Sequence, residues 1–337
     1  MPARSPIEIL GDRLTNGDEQ AVVARVVELK GFGGAVRVGE MIVAGNDGAV
    51  GTILGGIPSS RVGEVALARL RERVTDSTVI DLEVGDDEAV RSGMACGGVA
   101  RVIFQPSASF PESLGTLLAE RVPYLLVTAL DDLERGTSAW SEGSIAELAG
   151  EVPDVVFSTA NDLLRRRRNA STIIDEAGVS FHLEVRVPPT SVVIVGDGVL
   201  AEAIVAMCRV LGWGSYVSSE PSALREAVTG LGAVDALIVL SHDHDLATPV
   251  IDAFLSRPNP GYVGSLGSRH TQEIRRTRLL ELGYDASRLA NLYGPVGLDL
   301  GATTPAETAL AILAEFQAFK AGRSAGHLRE GSGPING

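Results

Sequence analysis

The stretch VVIVGDGVLA, residues 192–201, decides the fold of this chain. Its first four residues form an unbroken apolar run, which is typical of a strand buried on both faces of a parallel sheet. The turn Gly196-Asp197-Gly198 follows, and a helical pattern of apolar residues begins directly after it. Gly196, Gly198 and Ala201 fit the G-x-G-x-x-G/A spacing, in which backbone N–H groups and the positive end of a helix face a phosphate. The stretch predicts a Rossmann-like domain.

Composition limits the class of protein around this stretch. The length of 337 residues allows two or three domains, and a hydrophobic fraction of 45% can fill a sizeable core. The net charge of −14 disfavours nucleic acid as a partner. Two cysteines are too few for a disulfide framework or an iron–sulfur cluster. No apolar run approaches the length of a membrane span and residues 1–25 do not resemble a signal peptide, so we expect a cytoplasmic protein.

The patterns divide the chain into an N-terminal and a C-terminal part. Residues 1–187 predict a mixed α/β module, with a hairpin turn at Asn46-Asp47-Gly48 and a last strand at Phe181–Val187. Pro188-Pro189 predicts a linker, because two prolines stiffen the chain and cannot continue a strand ladder. Residues 188–322 predict the Rossmann-like parallel-sheet domain, and the Gly/Ser-rich residues 323–337 predict a disordered tail.

Cys96 is the candidate for sulfur chemistry in the N-terminal module. It precedes Gly97 and Gly98, which would let a large ligand approach the backbone and would offer N–H groups that favour a thiolate. The alternative is a small apolar side chain in a tight loop, which is the commoner role of a free cysteine. Cys208 lies in an apolar helical pattern and is expected in the core.

Further candidates follow the predicted strands of the C-terminal domain, whose carboxyl ends are where such folds bind ligands. A carboxylate after the second strand would bind a ribose; this chain has Ser218 and, just beyond, Glu220. His242 and His244 follow the third strand and would point the same way in an extended segment, so they could hold an anion or share a metal. The alternative is a helix start capped by Asp243 or Asp245. We assign no metal.

The fourth strand and the irregular segment near the C-terminus supply the remaining candidates. After Tyr262-Val263, Gly264 and Gly267 repeat the strand–glycine–helix order, and Ser268 and Arg269 would hold a phosphate at the next helix start. An ordinary turn with a capping serine is an equal alternative. Asp299 lies in the loop 294–301 and is a candidate because loops on a rigid scaffold often carry function. Thr304-Pro305-Ala306-Glu307 predicts a capping box.

These motifs together resemble the XdhC/CoxI family, accessory factors of xanthine dehydrogenase, carbon monoxide dehydrogenase and related molybdenum hydroxylases. The resemblance is carried by the G-x-x-C-G-G loop at 93–98, LSHDHD at 240–245, YVGSLGSR at 262–269, GPVGLDLG at 294–301 and TPAE at 304–307. It implies a homodimeric chaperone that binds molybdenum cofactor (molybdopterin or its dinucleotide form), supports its sulfuration with a cysteine desulfurase as partner, and inserts it into an apo-hydroxylase. Cys96 would then be a thiol near molybdenum.

The chain departs from the family pattern at two points, which keeps other functions open. The family has Ser-Pro-Arg where this chain has Phe32-Gly33-Gly34, and often a cysteine where this chain has Ile57. The first alternative is an NAD(P)-dependent oxidoreductase, although a proton donor paired with a substrate-binding arginine is not recognisable. The second is a nucleotide-binding scaffold without chemistry. The family resemblance favours the chaperone over both.

Overall fold

The computed structural model describes residues 6–16, 20–32, 36–141 and 152–330. It divides into two compact units, the first formed by Met1–Ala119 and Pro123–Arg186 and the second by Glu120–Val122 and Val187–Gly337. Unit 2 therefore resumes at Val187, directly before the predicted linker. Residues 323–330 are described and include a short 3₁₀ turn at Leu328–Glu330, whereas 331–337 lie outside the described residues, as do Gly33 and Gly34. None of the helices described is both long and apolar enough to cross a membrane.

Unit 1 is a mixed α/β module, as predicted. It is built on two antiparallel sheets. Its helices are α1 Pro6–Asn16, α2 Gly56–Arg71, α3 Asp86–Arg91, α4 Ser113–Ala119 and α5 Asp154–Arg165. Its strands are β1 Val22–Lys30, β2 Met41–Gly45, β3 Gly48–Gly51, β4 Thr78–Val84, β5 Gly98–Pro106, β6 Tyr124–Ala129, β7 Thr137–Trp140, β8 Ala170–Glu176 and β9 Val179–Arg186. The strand orders are β3-β2-β1-β5-β4 and β7-β6-β9-β8.

A buried polar network joins the two sheets of unit 1. The fully buried Arg25 on β1 donates to Glu184 on β9 (2.7 Å), to Gln105 on β5 (3.0 Å) and to Thr128 on β6 (2.9 Å). Arg186 also pairs with Glu184. Burial alone would raise the pKa of Glu184, but the charges of Arg186 and Arg25 override it and hold that pKa at about 2. The carboxylate is therefore ionised between two guanidinium groups.

Unit 2 is a parallel sheet with helices on both faces. Its elements are β10 Ser191–Val195, α6 Val199–Leu211, β11 Gly214–Ser218, α7 Pro221–Thr229, β12 Ala236–Val239, α8 His244–Leu255, β13 Tyr262–Ser265, α9 Arg269–Glu281, β14 Leu292–Tyr293 and α10 Pro305–Lys320. The order is β11-β10-β12-β13-β14, all parallel. Alternate residues of the central strands pack under α6 and α10 on one face and under α7, α8 and α9 on the other. This confirms the Rossmann-like architecture.

The short segment Glu120–Val122 packs into unit 2 through one buried carboxylate. Asp235, directly before β12, is fully buried. Arg121 donates to both of its oxygens, at 2.6 and 3.2 Å. The backbone N–H groups of Ser191 (2.7 Å) and Gly232 (2.8 Å) also donate to Asp235. Four donors therefore compensate for the cost of burying this charge.

The capping box before α10 is confirmed. The Thr304 hydroxyl accepts from Glu307 N at 3.2 Å, and the Glu307 carboxylate accepts from Thr304 N at 2.8 Å. Helix α2 ends at Arg71, because the chain leaves the helical conformation at Arg73, where φ is +54°. Cys208 is fully buried, as predicted.

Candidate functional site

The turn after β10 has the geometry that a phosphate requires. Gly196 and Gly198 have φ of +106° and +95°, a region in which glycine is favoured. A Cβ on Gly196 would lie 3.2 Å from Ser241 N, whereas a Cβ on Gly198 would meet no atom within 4 Å. Gly198 precedes α6 and provides no side-chain cap, so the first N–H groups of this helix remain open to an anion.

This turn lies at the point where the chain reverses the direction in which it adds strands to the sheet. β10 lies between β11 and β12, and the chain goes first to β11 on one side and then across to β12 on the other. In doubly wound sheets the crevice for a ligand forms at such a switch point, outside the carboxyl ends of the strands. The backbone N–H groups of Leu240 and Ser241 both donate to Val195 O, at 2.9 and 3.1 Å. The loop after β12 is therefore held beside the turn, and Ala201 is buried beneath it.

The two histidines after β12 do not form the extended pair that alternation predicts. Asp243 is the N-cap of α8 and accepts from Asp245 N (2.8 Å) and Leu246 N (3.4 Å), so the helix begins at His244. The expectation of an extended segment through His242 and His244 is therefore wrong, and the alternative of a capped helix start is correct. Because its own carboxylate satisfies these N–H groups, this helix start is a poor anion site.

The ring of His244 lies near the positive charges of Arg275 and Arg278, whose effect Asp245 and Asp243 oppose. Its Nδ1 atom is buried without a hydrogen-bond partner in the described part of the chain. Burial first, and then the charges of Arg275 and Arg278, lower the pKa of His244 below its ordinary value. The imidazole is therefore neutral at neutral pH. Within residues 6–16, 20–32, 36–141 and 152–330, no group of three or more His, Cys, Asp or Glu side chains has metal-binding geometry.

The segment after β13 contains one residue that is placed differently from the prediction. Gly264 lies inside β13 rather than in a turn, and a Cβ there would lie 2.6 Å from Val296 Cγ2, so it serves packing. Gly267 is in the turn, with φ +128°. Ser268 caps α9 and accepts from Thr271 N at 3.2 Å, and Arg269 is exposed at the first helical position. The capping serine is thus observed.

Arg275 is a charged residue at this edge that the sequence analysis did not identify. It is fully buried on α9 and donates to Ser265 Oγ, to Leu266 O (3.4 Å) and to Ser241 O (3.1 Å). No carboxylate pairs with it among the residues described, and burial lowers its pKa. It joins the ends of β12 and β13. The sequence could have indicated its burial, because Arg275 lies four residues before Leu279 and therefore on the same, apolar face of the helix.

The candidates at the end of β11 lie at a helix start. Glu220 is the N-cap residue of α7, is exposed, and accepts from Ser222 Oγ at 3.2 Å. The Ser218 hydroxyl accepts from Glu220 N at 3.0 Å. A groove of about 450 Å³ runs from Asp197 and Gly198 along one flank of α6, with Val217 of β11 on its other side. The turn therefore opens into a groove beside this strand.

The loop that contains Asp299 is irregular, as predicted, and is fixed at its base. Val296 N donates to Ser265 O (3.1 Å), Gly297 N to Glu315 Oε2 (3.0 Å) and Leu298 N to Ala311 O (3.2 Å). Asp299 itself is exposed. The anchored base holds this loop beside the end of β13, and within the described ranges Asp299 has no side-chain hydrogen bond or ion pair.

The loop of Cys96 lies in unit 1, directly before β5. Its thiol is half-buried and donates to Gly31 O at 3.2 Å. Gly97 N donates to Asp86 Oδ1 at 2.8 Å, so this amide is not available to a thiolate, contrary to the expectation. A Cβ on Gly97 would lie 2.1 Å from Val84 O, and one on Gly98 would lie 2.3 Å from Lys30 O. The space beside both glycines is taken by the chain's own backbone.

The fold and this switch-point turn define unit 2 as a doubly wound Rossmann domain. Residues 192–316 match the profile of the family described as the XdhC Rossmann domain. These residues of the C-terminal domain are thus similar to the XdhC Rossmann domain, and the resemblance of the chain to the XdhC family is confirmed.

Two curated relatives are similar to parts of the chain. It is 30% identical over 128 residues to the molybdenum cofactor insertion chaperone PaoD of Escherichia coli K12, covering 38% of this chain and 39% of that protein. It is 27% identical over 188 residues to the uncharacterized protein YqeB of the same organism, covering 50% of this chain and 35% of that protein. The matches therefore span well under two thirds of either relative.

One solved structure is similar over the whole length. It is described as a xanthine dehydrogenase from Bacillus halodurans, with 19% identity, a TM-score of 0.45 and 99% of each chain covered. At this identity and score the similarity carries no argument about function.

Proposed function

We propose that this protein is an accessory chaperone that binds molybdenum cofactor and inserts it into a molybdenum hydroxylase. The observation that carries the proposal is the XdhC Rossmann domain, together with 30% identity to a relative named as a molybdenum cofactor insertion chaperone. The partner would be an apo-hydroxylase of the xanthine or carbon monoxide dehydrogenase type, and the chaperone would act in the cytoplasm as a homodimer.

The cargo would be held through its phosphate. Molybdopterin carries a terminal phosphate and its dinucleotide form a pyrophosphate, and the uncapped start of α6 offers backbone N–H groups to either. Gly196 and Gly198 would contact the phosphate, with Ser241 beside it. The buried Arg275 would stabilise the bound phosphate through its charge without contacting it, because a buried cation without a carboxylate partner favours an anion nearby.

Cys96 would supply a thiol near molybdenum, and sulfuration of the bound cofactor, with a cysteine desulfurase as sulfur donor, is part of the same proposal. The half-buried thiol beside Gly31 O is consistent with a side chain that a ligand can reach. Cys96→Ala should leave cofactor retention intact and abolish activation of the apo-hydroxylase. Full activation by Cys96→Ala would remove Cys96 from the proposal and leave cofactor binding in place.

An NAD(P)-dependent oxidoreductase is the second candidate, because the same turn suits a dinucleotide. The G-x-G-x-x-A turn is followed by Glu220 at the end of β11, where a carboxylate would bind ribose hydroxyls. Its exposed carboxylate forms one hydrogen bond from Ser222 and would be available for that role. This alternative predicts nicotinamide binding without retention of a molybdopterin species.

The decisive experiment titrates the full chain with molybdenum cofactor and, separately, with NAD(H) and NADP(H). Ligand co-elution and the shift in melting temperature are measured, since a ligand that binds the native state stabilises it. Retention of the molybdopterin species supports the chaperone; nicotinamide binding alone supports the dehydrogenase; no binding by any of them rejects both.

A matched pair of glycine variants locates the binding site. Gly198 and Gly283 have φ of +95° and +94°, and a Cβ on either would meet no atom within 4 Å. Asp at either position therefore imposes similar backbone strain, but only Gly198→Asp places a carboxylate at the start of α6. We expect Gly198→Asp to weaken cofactor binding at least about 10-fold and Gly283→Asp to leave it unchanged. Equal affinities would place the phosphate elsewhere.

A further inference from the structure

One edge of the Rossmann domain exposes an unusual amount of apolar surface. On α6, Val199, Val210 and Leu211 are 67%, 86% and 50% exposed, and on β11, Tyr216 and Val217 are 45% and 36% exposed. Val217 is in register with Ile194 and lies on the α6 face of the sheet, whereas Tyr216 is in register with Val193 and lies on the opposite face. Val217 and the α6 side chains therefore share one side of this edge. Contiguous exposed apolar surface of this kind marks a docking surface more often than isolated apolar residues do.

The strand at this edge lacks the features that keep edge strands apart. β11 has the sequence GSYVS, with neither a charged residue nor a proline, and among the described strands it pairs with β10 alone, on one side. Proteins normally protect such an edge with lysine, proline, a bulge or a covering element. The uncovered polar backbone of β11 therefore indicates that another strand pairs with it.

Two opposite charges on the exposed flank of α6 indicate that the strand that pairs with β11 belongs to a second copy of this chain. Glu202 and Arg209 line the same groove, and neither side chain forms an ion pair or a hydrogen bond within the described part of the chain. They are seven residues apart, or about 10 Å along the helix, so they cannot pair with each other. Val205 and Ala206 lie midway between them. In an antiparallel pair of α6 helices, each Glu202 would face the Arg209 of the other helix.

We propose that α6 and β11 form a self-complementary interface through which two copies of this chain associate about a two-fold axis. The axis passes by Val205 and Ala206, so that two Glu202–Arg209 pairs form across it. An isologous interface requires this self-complementarity. The proposal gives the homodimer of the proposed function a location and rests on that homodimer.

The two elements can associate at the same time. Strands pair about 4.8 Å apart, and α6 packs on β10 and contacts β11, so a two-fold axis perpendicular to the sheet at the outer edge of β11 would place two α6 helices about 10 Å apart. Packed helices lie 8–10 Å apart. Antiparallel pairing of two β11 strands therefore brings the two α6 helices into contact on one face of a continuous sheet.

The test uses charge reversal and the oligomeric mass of the full chain. Glu202→Arg and Arg209→Glu each convert both intermolecular pairs into repulsive ones, so each variant should dimerise at least about 100-fold more weakly than the parent. An equimolar mixture of the two variants restores both attractive pairs and should form heterodimers with near-parental affinity. The double variant Glu202→Arg/Arg209→Glu should also dimerise. Glu226→Arg, exposed on α7 on the other face, is the control.

Mass is measured by light scattering during gel filtration over a range of concentrations. A mass near twice 35.2 kDa for the parent, loss of it in both single variants and recovery in the mixture support the interface. A dimer that both reversals leave intact, or a mixture no better than its components, overturns the interface while the homodimer stands. A monomeric parent overturns both.

Discussion

His182 makes the stability of unit 1 depend on pH. The side chain lies on β9, is 1% exposed, and neither ring nitrogen has a hydrogen-bond partner in the described part of the chain. Burial lowers its pKa from 6.5 to about 4; Glu184 opposes this effect, and Arg25 and Arg186 add to it. The unfolded chain therefore binds a proton near pH 6.5, whereas the folded chain does so only near pH 4. Stability is complete above pH 6.5 and falls as the pH decreases towards 4.

The size of this effect follows from the two pKa values. Between pH 7.5 and 5.5 the difference amounts to about 1.4 kcal/mol of unfolding free energy. This range stays above the isoelectric point of about 4.9, near which solubility is lowest. It also avoids the contribution of Glu184, whose folded pKa of about 2 makes its stabilisation decline only below about pH 4.5. The range therefore isolates the histidine from the buried glutamate.

Urea unfolding at the two pH values measures the effect. The chain has two tryptophans, and Trp140 lies in unit 1. In a Trp213→Phe background, the fluorescence of Trp140 therefore follows unit 1 alone. Adding His182→Leu should remove about 1.4 kcal/mol from the pH dependence, whereas His270→Gln, which alters a ring that is 81% exposed, should leave it unchanged. The same pH dependence with and without His182 would refute the reasoning.

Three further predictions concern stability. Glu184→Gln should destabilise unit 1 by about 3–5 kcal/mol in urea, because it leaves the buried guanidinium group of Arg25 and the half-buried one of Arg186 without a counter-charge; the exposed Glu83→Gln should cost less than about 0.5 kcal/mol. Gly196→Ala should lower the free energy of unfolding by about 1–3 kcal/mol, because alanine is strained at φ +106°. Gly230→Ala, at φ −87°, should be neutral or stabilising; thermal unfolding measures both variants. Thr304→Ala removes the capping hydroxyl of α10 and should lower the unfolding free energy of unit 2 by about 1 kcal/mol.

The features that the sequence predicted are those coded by neighbouring residues. The buried run Val192–Val195 with its glycine turn, the hairpin at Asn46-Asp47-Gly48 and the capping box at Thr304 each depend on fewer than about a dozen residues, and each is present. The resemblance to the XdhC family depends on motifs of the same kind. Local chemistry therefore predicted the mixed α/β module, the Rossmann-like domain and the position of the switch-point turn.

The features that were missed depend on residues distant in the sequence or on two equally good local choices. Arg25 meets Glu184 across 159 positions, which no periodicity encodes. His242 and His244 alternate as a strand would, but Asp243 offers a cap, and the helix start satisfied more backbone groups. Gly264 resembles a turn glycine, yet the place of its Cβ is taken by Val296. Tertiary packing decided the first and third cases, and the local cap of Asp243 decided the second.

The passage of Glu120–Val122 through unit 2 affects how the gene can be divided. A truncation that begins at the linker prolines would encode every strand and helix of the Rossmann domain but would omit Arg121, leaving the buried Asp235 with two backbone donors. The XdhC domain in this chain is thus contiguous as a sequence family but discontinuous as a folding unit. Recombination or domain exchange at the linker alone would transfer a carboxylate without its guanidinium, so the two units are expected to be inherited together.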